Sequence, residues 1–253
     1  MSVNFLIFRF PGIAGVCCAF QERSGGAQTW KTPCDGGNIS HAAGNDPART
    51  NADRQALLAS LNPLGLAAFA ELNQIHGDGM IFDPSPVLPT ERPVADGDGM
   101  ASAHPGLGLL IKTADCQPIL LADRQGRHIA AMHAGWRGNR INFPAKGVAL
   151  FCERYNLKPG EIMAVRGPSL GPAHAAFTNF AEEWGEDFLP WFDTASKTMD
   201  LWTLTRHQLC EAGIPARQIY GLDLCTFTNE RFFSYRRDKA CGRQASLIWI
   251  VPN

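Results

Sequence analysis

Residues 107–138 read LGLLIKTADCQPILLADRQGRHIAAMHAGWRG and are the part of the chain that says most about its architecture. Three short apolar runs, at 107–111, 118–121 and 128–132, are separated by turns rich in Asp, Gly and charged residues. Runs of this length between turn signals are typical of buried strands. The stretch therefore predicts three consecutive strands whose polar side chains cluster at the strand ends.

Helices flank these strands along the chain. Asp46-Pro47 is a helix N-cap followed by proline at the first helical position, and the predicted helix runs to Asn62-Pro63. Further segments predict helices at 145–155 and 200–212, the second capped by Asp200 and ended by Gly213, and strands at 162–165, 218–222 and 246–251. Because the elements alternate without a regular βαβ repeat, and no GxGxxG or P-loop occurs, the pattern predicts α/β structure with mixed sheets covered by helices rather than a Rossmann fold.

Composition narrows the classes of function. The chain has 253 residues, is 45% hydrophobic and carries a formal charge of -1, with no run of Lys or Arg that would suit nucleic acid. No apolar stretch is long enough to cross a bilayer, and residues 4–10 lack a charged leader with a cleavage site. We therefore expect a single domain over 1–253, a cytoplasmic location, and small-molecule partners rather than nucleic acid or membrane.

The eight cysteines predict reduced thiols rather than a disulfide framework. Their spacing is irregular, no CxxC occurs, and nothing marks the chain as secreted. Cys116 differs from the others because Asp115 and Pro118 place it in a turn between two predicted strands. It is therefore the one cysteine that we single out for chemistry.

Three separate segments each supply one metal-ligating side chain beside a predicted turn. They are His76 in QIHG, Cys116 in TADC and His133 in HAGWRG, and each is expected at a strand end. Structural zinc sites usually have four protein ligands, whereas three protein ligands leave a position for water or substrate. The sequence therefore predicts a catalytic two-histidine, one-cysteine metal site.

The motifs resemble those of a known family, the YfiH-like or laccase-domain family, which is labelled both multicopper polyphenol oxidase and purine nucleoside phosphorylase. An N-terminal pattern from Gly37 through Asn45 to Arg54 also resembles that family, so the resemblance covers nearly the whole chain. The motifs that carry it are QIHG (74–77), TADCQP (113–118), HAGWRG (133–138), GPSLG (167–171), CT (225–226), FFSYRR (232–237) and GRQA (242–245).

The resemblance implies a single domain with two mixed β-sheets between helix layers, a four-layer α/β/β/α arrangement. It implies that His76, Cys116 and His133 bind Zn²⁺. It also implies phosphorolysis of adenosine, inosine and methylthioadenosine, with adenosine deamination as a side activity. A second activity linked to the family is peptidoglycan editing.

Residues near the motifs are candidates for catalysis and for binding phosphate. Arg137 lies between two glycines and is a candidate for bidentate phosphate binding and catalysis, with Arg54 and Asn38 as further binding candidates. Asp115 adjoins Cys116 and is a candidate general base or a residue that orients a ligand. Asp96 is a weaker candidate for the same roles as Asp115.

Two departures from the family pattern bear on substrate choice. Asp98 adds a second carboxylate to Asp96-Gly97, and its expected role is to cap a turn. Arg166 stands where an apolar residue is more usual, and we assign it no role.

Three alternatives stay open at the level of sequence. Polyphenol oxidation through copper would need paired HxH ligands, and the seven histidines contain none, so we regard copper chemistry as adventitious. Cys116 and His133 are also a candidate nucleophile and base for amide hydrolysis, as peptidoglycan editing requires. A binding module with purely structural zinc is the third alternative, in which case Cys116→Ala should unfold the chain.

Overall fold

The computed structural model describes residues 3–44 and 46–252, so Asn45 of the N-terminal pattern lies outside the described residues. The helices in this part of the chain are α1 (Pro47–Leu61), α2 (Trp136–Arg140), α3 (Phe143–Tyr155), α4 (Phe180–Glu183) and α5 (Leu201–Glu211). The strands are β1 (Asn4–Phe8), β2 (Val16–Glu22), β3 (Ala68–Ala70), β4 (Met80–Phe82), β5 (Gly99–Ser102), β6 (Leu107–Thr113), β7 (Gln117–Asp123), β8 (Ile129–Ala134), β9 (Ile162–Arg166), β10 (Phe192–Asp193), β11 (Thr198–Met199), β12 (Ile219–Gly221) and β13 (Gln244–Ile250).

Two large mixed sheets form the centre of the molecule. The first has the strand order β1-β2-β13-β6-β3 and the second the order β12-β9-β7-β8-β5-β4. Most neighbours are antiparallel, and the parallel pairs are β3 with β6, β4 with β5 and β12 with β9. The predicted mixed α/β class is confirmed.

The sheets pack face to face, and helices cover their outer faces. One apolar cluster, which includes Phe20, Ile111, Leu120 and Val165, takes side chains from both sheets. A second cluster joins the outer face of the first sheet to α1, and a third joins the outer face of the second sheet to α3 and α5. The order of layers is therefore helix, sheet, sheet, helix, as the resemblance implies.

The segments with clear end signals form the elements that the sequence predicts. Asp46 caps α1 by accepting a hydrogen bond from the Arg49 backbone N–H, and Asp200 caps α5 through the N–H of Thr203. The apolar runs at 107–111, 118–121 and 128–132 become β6, β7 and β8, each of which continues two residues past the end of its run, while β7 begins one residue earlier and β8 one residue later than predicted. The boundaries shift because hydrogen bonds to a neighbouring strand continue past the last apolar residue.

Strand β2 is the main element that the sequence analysis missed. All seven of its residues are buried, and it pairs with β1 on one side and β13 on the other. A strand buried on both faces shows no alternation of polar and apolar residues, so its period gives no signal.

None of the helices in the described part of the chain has the length and apolar character needed to cross a membrane.

Candidate metal centre

The three predicted ligands converge where the chain crosses from the first sheet to the second. Cys116 lies in the connection from β6 of the first sheet to β7 of the second, and His133 lies in β8 beside it. The ligand atoms of His76, Cys116 and His133 all lie within 4.8 Å of one another. Within residues 3–44 and 46–252 this is the one group of three or more His, Cys, Asp or Glu side chains with such a geometry.

His76 reaches the site from a loop, not from a strand end as predicted. It lies between β3 and β4 with a backbone φ of 61°, in the left-handed region that few non-glycine residues adopt. The backbone N–H groups of Ile75, His76 and Gly77 converge on the Asp98 carboxylate at 3.2, 3.0 and 2.7 Å. This buried carboxylate stabilises the unusual turn and so fixes the position of the His76 ring.

Asp98 also holds the second histidine ligand. Its Oδ1 accepts a hydrogen bond of 2.7 Å from Nδ1 of His133, which leaves Nε2 of that ring free to bind an ion. Asp98 is fully buried, and burial would raise its pKa, but the hydrogen bonds from His133 and the turn lower the pKa instead. The sequence predicts only a turn cap for Asp98. In the structure its carboxylate also accepts the hydrogen bond from His133, so that one side chain positions both histidines.

Cys116 and His133 favour their charged forms when they face each other. Burial alone would raise the pKa of the Cys116 thiol, but the charge of His133 and hydrogen bonds from both histidines lower it. Burial likewise opposes protonation of His133, and the Cys116 and Asp98 side chains raise the pKa of the imidazole in spite of it. A thiolate is the form of cysteine that binds metal ions.

The site leaves no room for a side chain at Gly135. A Cβ atom there would lie 2.9 Å from Cys116 Sγ and 3.2 Å from Cδ2 of His76. Gly138 is not constrained in this way, because a Cβ at that position meets its nearest neighbour at an ordinary 3.8 Å. The close backbone approach at Gly135 and the donor set of two imidazoles and one thiolate both fit a bound metal ion.

Asp115 anchors the turn that presents Cys116. Its backbone φ is 100°, and its two carboxylate oxygens accept hydrogen bonds from Thr226 Oγ1 at 2.7 Å and from the Arg236 N–H at 2.6 Å. These contacts hold an otherwise unfavourable backbone in place. The general-base role expected for Asp115 stays a prediction, and the two existing contacts favour a positioning role.

A cavity of about 990 Å³ opens above the three ligands. Arg137, at the start of α2, lines the cavity with an exposed side chain and stacks on Trp136, with its guanidinium carbon 4.4 Å from the ring centroid. In the part of the chain that the structure describes, Arg137 forms no ion pair with an acidic residue. Its guanidinium is therefore available to an anion in the cavity.

A buried amide network holds α2 against the site. Gln117 Nε2 donates to Asn139 Oδ1 at 3.0 Å and to Thr205 Oγ1 at 2.8 Å. Asn139 Nδ2 donates to Thr205 Oγ1 and to Gln208 Oε1, at 2.7 and 2.8 Å. Since Gln117 follows Cys116 directly and Asn139 lies two residues after Arg137, the network ties the ligand turn to the helix that carries the arginine.

Arg54 and Asn38, the other predicted phosphate-binding residues, are engaged within the protein. Arg54 is 1% exposed, donates to the carbonyls of Ile39 and Pro89, and pairs with Glu71 at 2.6 Å. Asn38 is buried and holds the loop that follows it, with Nδ2 donating to the Ala43 carbonyl at 2.8 Å. Arg54 reaches the cavity wall and Asn38 is not among the lining residues, so their binding roles stay predictions.

The two residues with weak or unassigned roles lie outside the cavity. Asp96 accepts a hydrogen bond from Asn73 Nδ2 at 2.7 Å on the surface. Arg166 is buried, pairs with Asp223 and stacks over Trp202. Neither contacts the three ligands.

Three residues that line the cavity were not predicted from the sequence. The first is the buried acid Glu71, which binds Arg54 and Lys112. The others are Tyr235 and Arg243, which lie within the FFSYRR and GRQA motifs. Motif membership was the one available signal, because neither charge nor periodicity shows which side chains a distant loop brings together.

Comparisons with known proteins agree with this fold. A family model described as multi-copper polyphenol oxidoreductase laccase matches residues 17–251. A relative from Shigella flexneri named purine nucleoside phosphorylase YfiH is 34% identical over 258 residues, which cover 98% of this chain and 99% of the relative. A Pseudomonas aeruginosa relative, also named a purine nucleoside phosphorylase, is 32% identical and covers 95% of this chain and 96% of its own length.

Solved structures show the same architecture. YlmD from Geobacillus stearothermophilus superposes with a TM-score of 0.84 at 27% identity, covering 98% of this chain and 97% of that protein. A Bacillus licheniformis hypothetical protein, YfiH, gives a TM-score of 0.82 at 26% identity and covers 93% of this chain and 92% of its own. The relatives carry enzyme names, and the family model spans nearly the whole chain. The chain therefore belongs to the YfiH-like, laccase-domain family of enzymes.

Proposed function

We propose that this protein is a zinc-dependent purine nucleoside phosphorylase acting on adenosine, inosine and methylthioadenosine, with adenosine deamination as a side activity. The observation that carries the proposal is the convergence of His76, Cys116 and His133 in a large cavity. Among the described residues, the charged side chains that line it without an ion pair are five cations and one acid, Asp115. Phosphate needs cationic donors, and a nucleoside needs a cavity of this size. The names of the relatives support the reaction class.

The donor set favours zinc over copper. Two imidazoles and one thiolate are ordinary zinc ligands, and a three-ligand site leaves a position for a reactant. A blue-copper site adds a weak axial ligand, usually methionine, and no methionine of the described residues lines this cavity. A zinc ion held here would supply a Lewis acid beside the substrate.

The protein's own residues orient the reactants. Arg137 is placed to bind inorganic phosphate through its exposed guanidinium, and Trp136 and Phe177, which contact each other edge to face at 5.8 Å, offer apolar surface to the purine. Asp98 keeps the His133 ring in one orientation, so the ligands need no rearrangement when substrate binds. The deaminase activity is supported by the family resemblance alone.

The proposal is tested by measuring metal and product on the same sample. Protein purified without added metal should contain zinc by elemental analysis, and His76→Ala and Cys116→Ala should lose it. Incubation with adenosine should release adenine when phosphate is present and not when it is absent. Adenine release that does not depend on phosphate would contradict phosphorolysis.

A single variant tests the phosphate site. Arg137→Gln should raise KM for phosphate about tenfold or more, because it removes a charge-assisted hydrogen bond to the anion. Arg140→Gln is the matched control, since Arg140 is exposed on the same helix and does not line the cavity. Equal kinetics for the two variants would remove Arg137 from the phosphate site.

Amide hydrolysis is the second candidate, because one specific arrangement favours it. Cys116, His133 and Asp98 are ordered as a nucleophile, a base and the carboxylate that orients the base. This candidate predicts a zinc-free active protein and a covalent adduct on Cys116 with an amide substrate analogue. Activity that requires zinc, with no adduct, would exclude it.

A further inference from the structure

The cavity contains more cationic side chains than one inorganic phosphate requires. Two of them, Arg54 and Lys112, share the buried carboxylate of Glu71, at 2.6 and 2.8 Å, which offsets one of their two positive charges and holds both side chains in place. The other acid on the wall, Asp115, is engaged by Thr226 and by a backbone N–H. The lining cations that form no ion pair within the described residues are Arg92, Arg137, Arg236, Lys239 and Arg243.

These unpaired cations come from both sides of the metal centre. Arg137 belongs to α2, which follows β8 of the second sheet. Lys239 and Arg243 belong to the segment that leads into β13 of the first sheet, and Gln244 is paired with Thr113 just before the ligand turn. The cavity above the three predicted ligands is therefore lined by a cation from the helix that follows the second sheet and by cations from the loop that leads into the first.

The side near β13 also has an aromatic surface. Tyr235 is 44% exposed although it lines the cavity. The Lys239 ammonium lies 5.2 Å from the centroid of its ring, and the Arg243 guanidinium carbon lies 5.8 Å from the same centroid. An exposed ring flanked by two unpaired cations is suited to a ligand that has an apolar part joined to an anionic group.

Arg243 is held in place while part of its guanidinium is left free. Its Nη1 donates to the carbonyls of Cys241 and Gly242, at 2.8 and 3.0 Å, and its backbone N–H donates to Asn38. Within the described residues, neither Nε nor Nη2 of Arg243 donates a hydrogen bond. A fixed guanidinium with free donors binds an anion at a smaller entropic cost than a mobile one does.

We propose that the cavity binds two anionic groups at once, and that its preferred substrate is a 5′-phosphorylated purine nucleoside. Inorganic phosphate binds at Arg137, and the phosphate ester of the nucleoside binds at Lys239 and Arg243 beside Tyr235. This assignment rests on the phosphorolysis proposed above and adds a phosphorylated substrate to adenosine, inosine and methylthioadenosine, which lack a 5′-phosphate and bind without using this subsite.

The reaction balances with inorganic phosphate as the only co-substrate. An oxygen of hydrogen phosphate forms a bond to C1′ of the sugar, and the bond between C1′ and the purine nitrogen breaks with its electron pair going to the purine. The proton of the hydrogen phosphate ends on the released purine. The second product is a pentose that carries phosphate at both C1 and C5.

Binding is measured first because it does not depend on turnover. We expect the zinc-loaded protein to bind adenosine 5′-phosphate about tenfold more tightly than adenosine in calorimetric titrations without phosphate, through one or more charge-assisted hydrogen bonds. Lys239→Gln and Arg243→Gln should each reduce this preference. Lys31→Gln is the matched control, since Lys31 is exposed and does not line the cavity. Equal affinity for the two ligands in the unchanged protein would overturn the subsite.

Kinetics then separate the two proposals. The value of kcat/KM for adenosine 5′-phosphate should exceed that for adenosine, and Lys239→Gln should lower the first and leave the second unchanged. A rise in KM for inorganic phosphate with adenosine as substrate would show that these cations bind the co-substrate, and would overturn the subsite. Tight binding of the phosphorylated ligand without phosphorolysis of either compound would contradict the proposed function and support the subsite.

If Arg243→Gln fails to fold, Lys239→Gln still decides the question, because Lys239 is exposed and makes no side-chain hydrogen bond in the described residues.

Discussion

The floor and the rim of the cavity use the same residue types in opposite ways. On the floor, Arg54 and Lys112 are held by the buried carboxylate of Glu71, and the guanidinium of Arg54 also donates to backbone carbonyls. On the rim, Arg137 and Lys239 are exposed and form no ion pair within the described residues. The comparison teaches that a cation near a site indicates ligand binding only when no acid within the protein is paired with it. A cation already paired with a buried carboxylate adds rigidity and attracts an anion less.

Removing the acid on the floor should have the largest effect. Glu71→Gln leaves Arg54 as a buried charge without its partner, and we expect a loss of about 3–5 kcal/mol in the free energy of unfolding. Urea denaturation measures it, with Glu230→Gln as the control because Glu230 is exposed. A change as small as that of the control would mean that floor and rim do not differ in this way.

Removing the charge that joins the ligands should have an intermediate effect. Asp98→Asn weakens the contacts to the 75–77 turn and to Nδ1 of His133, so we expect zinc affinity to fall by roughly 10–100-fold. Competition with a chelator of known affinity measures the change. Asp96→Asn is the matched control two residues away, since the exposed Asp96 carboxylate accepts its side-chain hydrogen bond from Asn73 and does not line the cavity. Unchanged affinity in Asp98→Asn would show that the ligands hold their positions without this carboxylate.

A carboxylate outside the cavity should have the opposite effect on stability, because its charge is partly buried without an ion-pair partner among the described residues. Burial raises the pKa of Asp53 in α1 to about 6, and its Oδ2 is buried without a hydrogen-bond partner among the described residues. Asp53→Asn should therefore stabilise the protein near neutral pH by roughly 0.5–1 kcal/mol, a small value because partial exposure screens the charge.

The pH dependence has a definite sign. The pKa of Asp53 in the folded protein lies above its ordinary value of 3.8, so the cost of its charge is present above about pH 6 and disappears as the pH falls toward 3.8. The advantage of Asp53→Asn in urea denaturation should shrink over that interval. An advantage that stays constant with pH would contradict a cost due to charge.

The sequence by itself determined the segments with strong local signals. The caps at Asp46 and Asp200 and the apolar runs of β6, β7 and β8 follow from short-range hydrogen bonding and burial. The motif resemblance predicted that His76, Cys116 and His133 form one ligand set, and the structure brings their ligand atoms within 4.8 Å of one another. These features are local, or are carried by residue identity, so a sequence can report them.

Only the tertiary structure decided which polar and charged side chains are already engaged by other residues. Asp98 reaches His133 over 35 positions of the chain, and Arg54 reaches Glu71 over 17. In each case the contact reveals a partner that the sequence does not show. Gly135 must lack a side chain because Cys116 and His76 approach it from two other segments. The physical reason is that the role of a charged or polar group depends on the partners that compete for it, and those partners are brought close by packing of the two sheets rather than by position in the sequence.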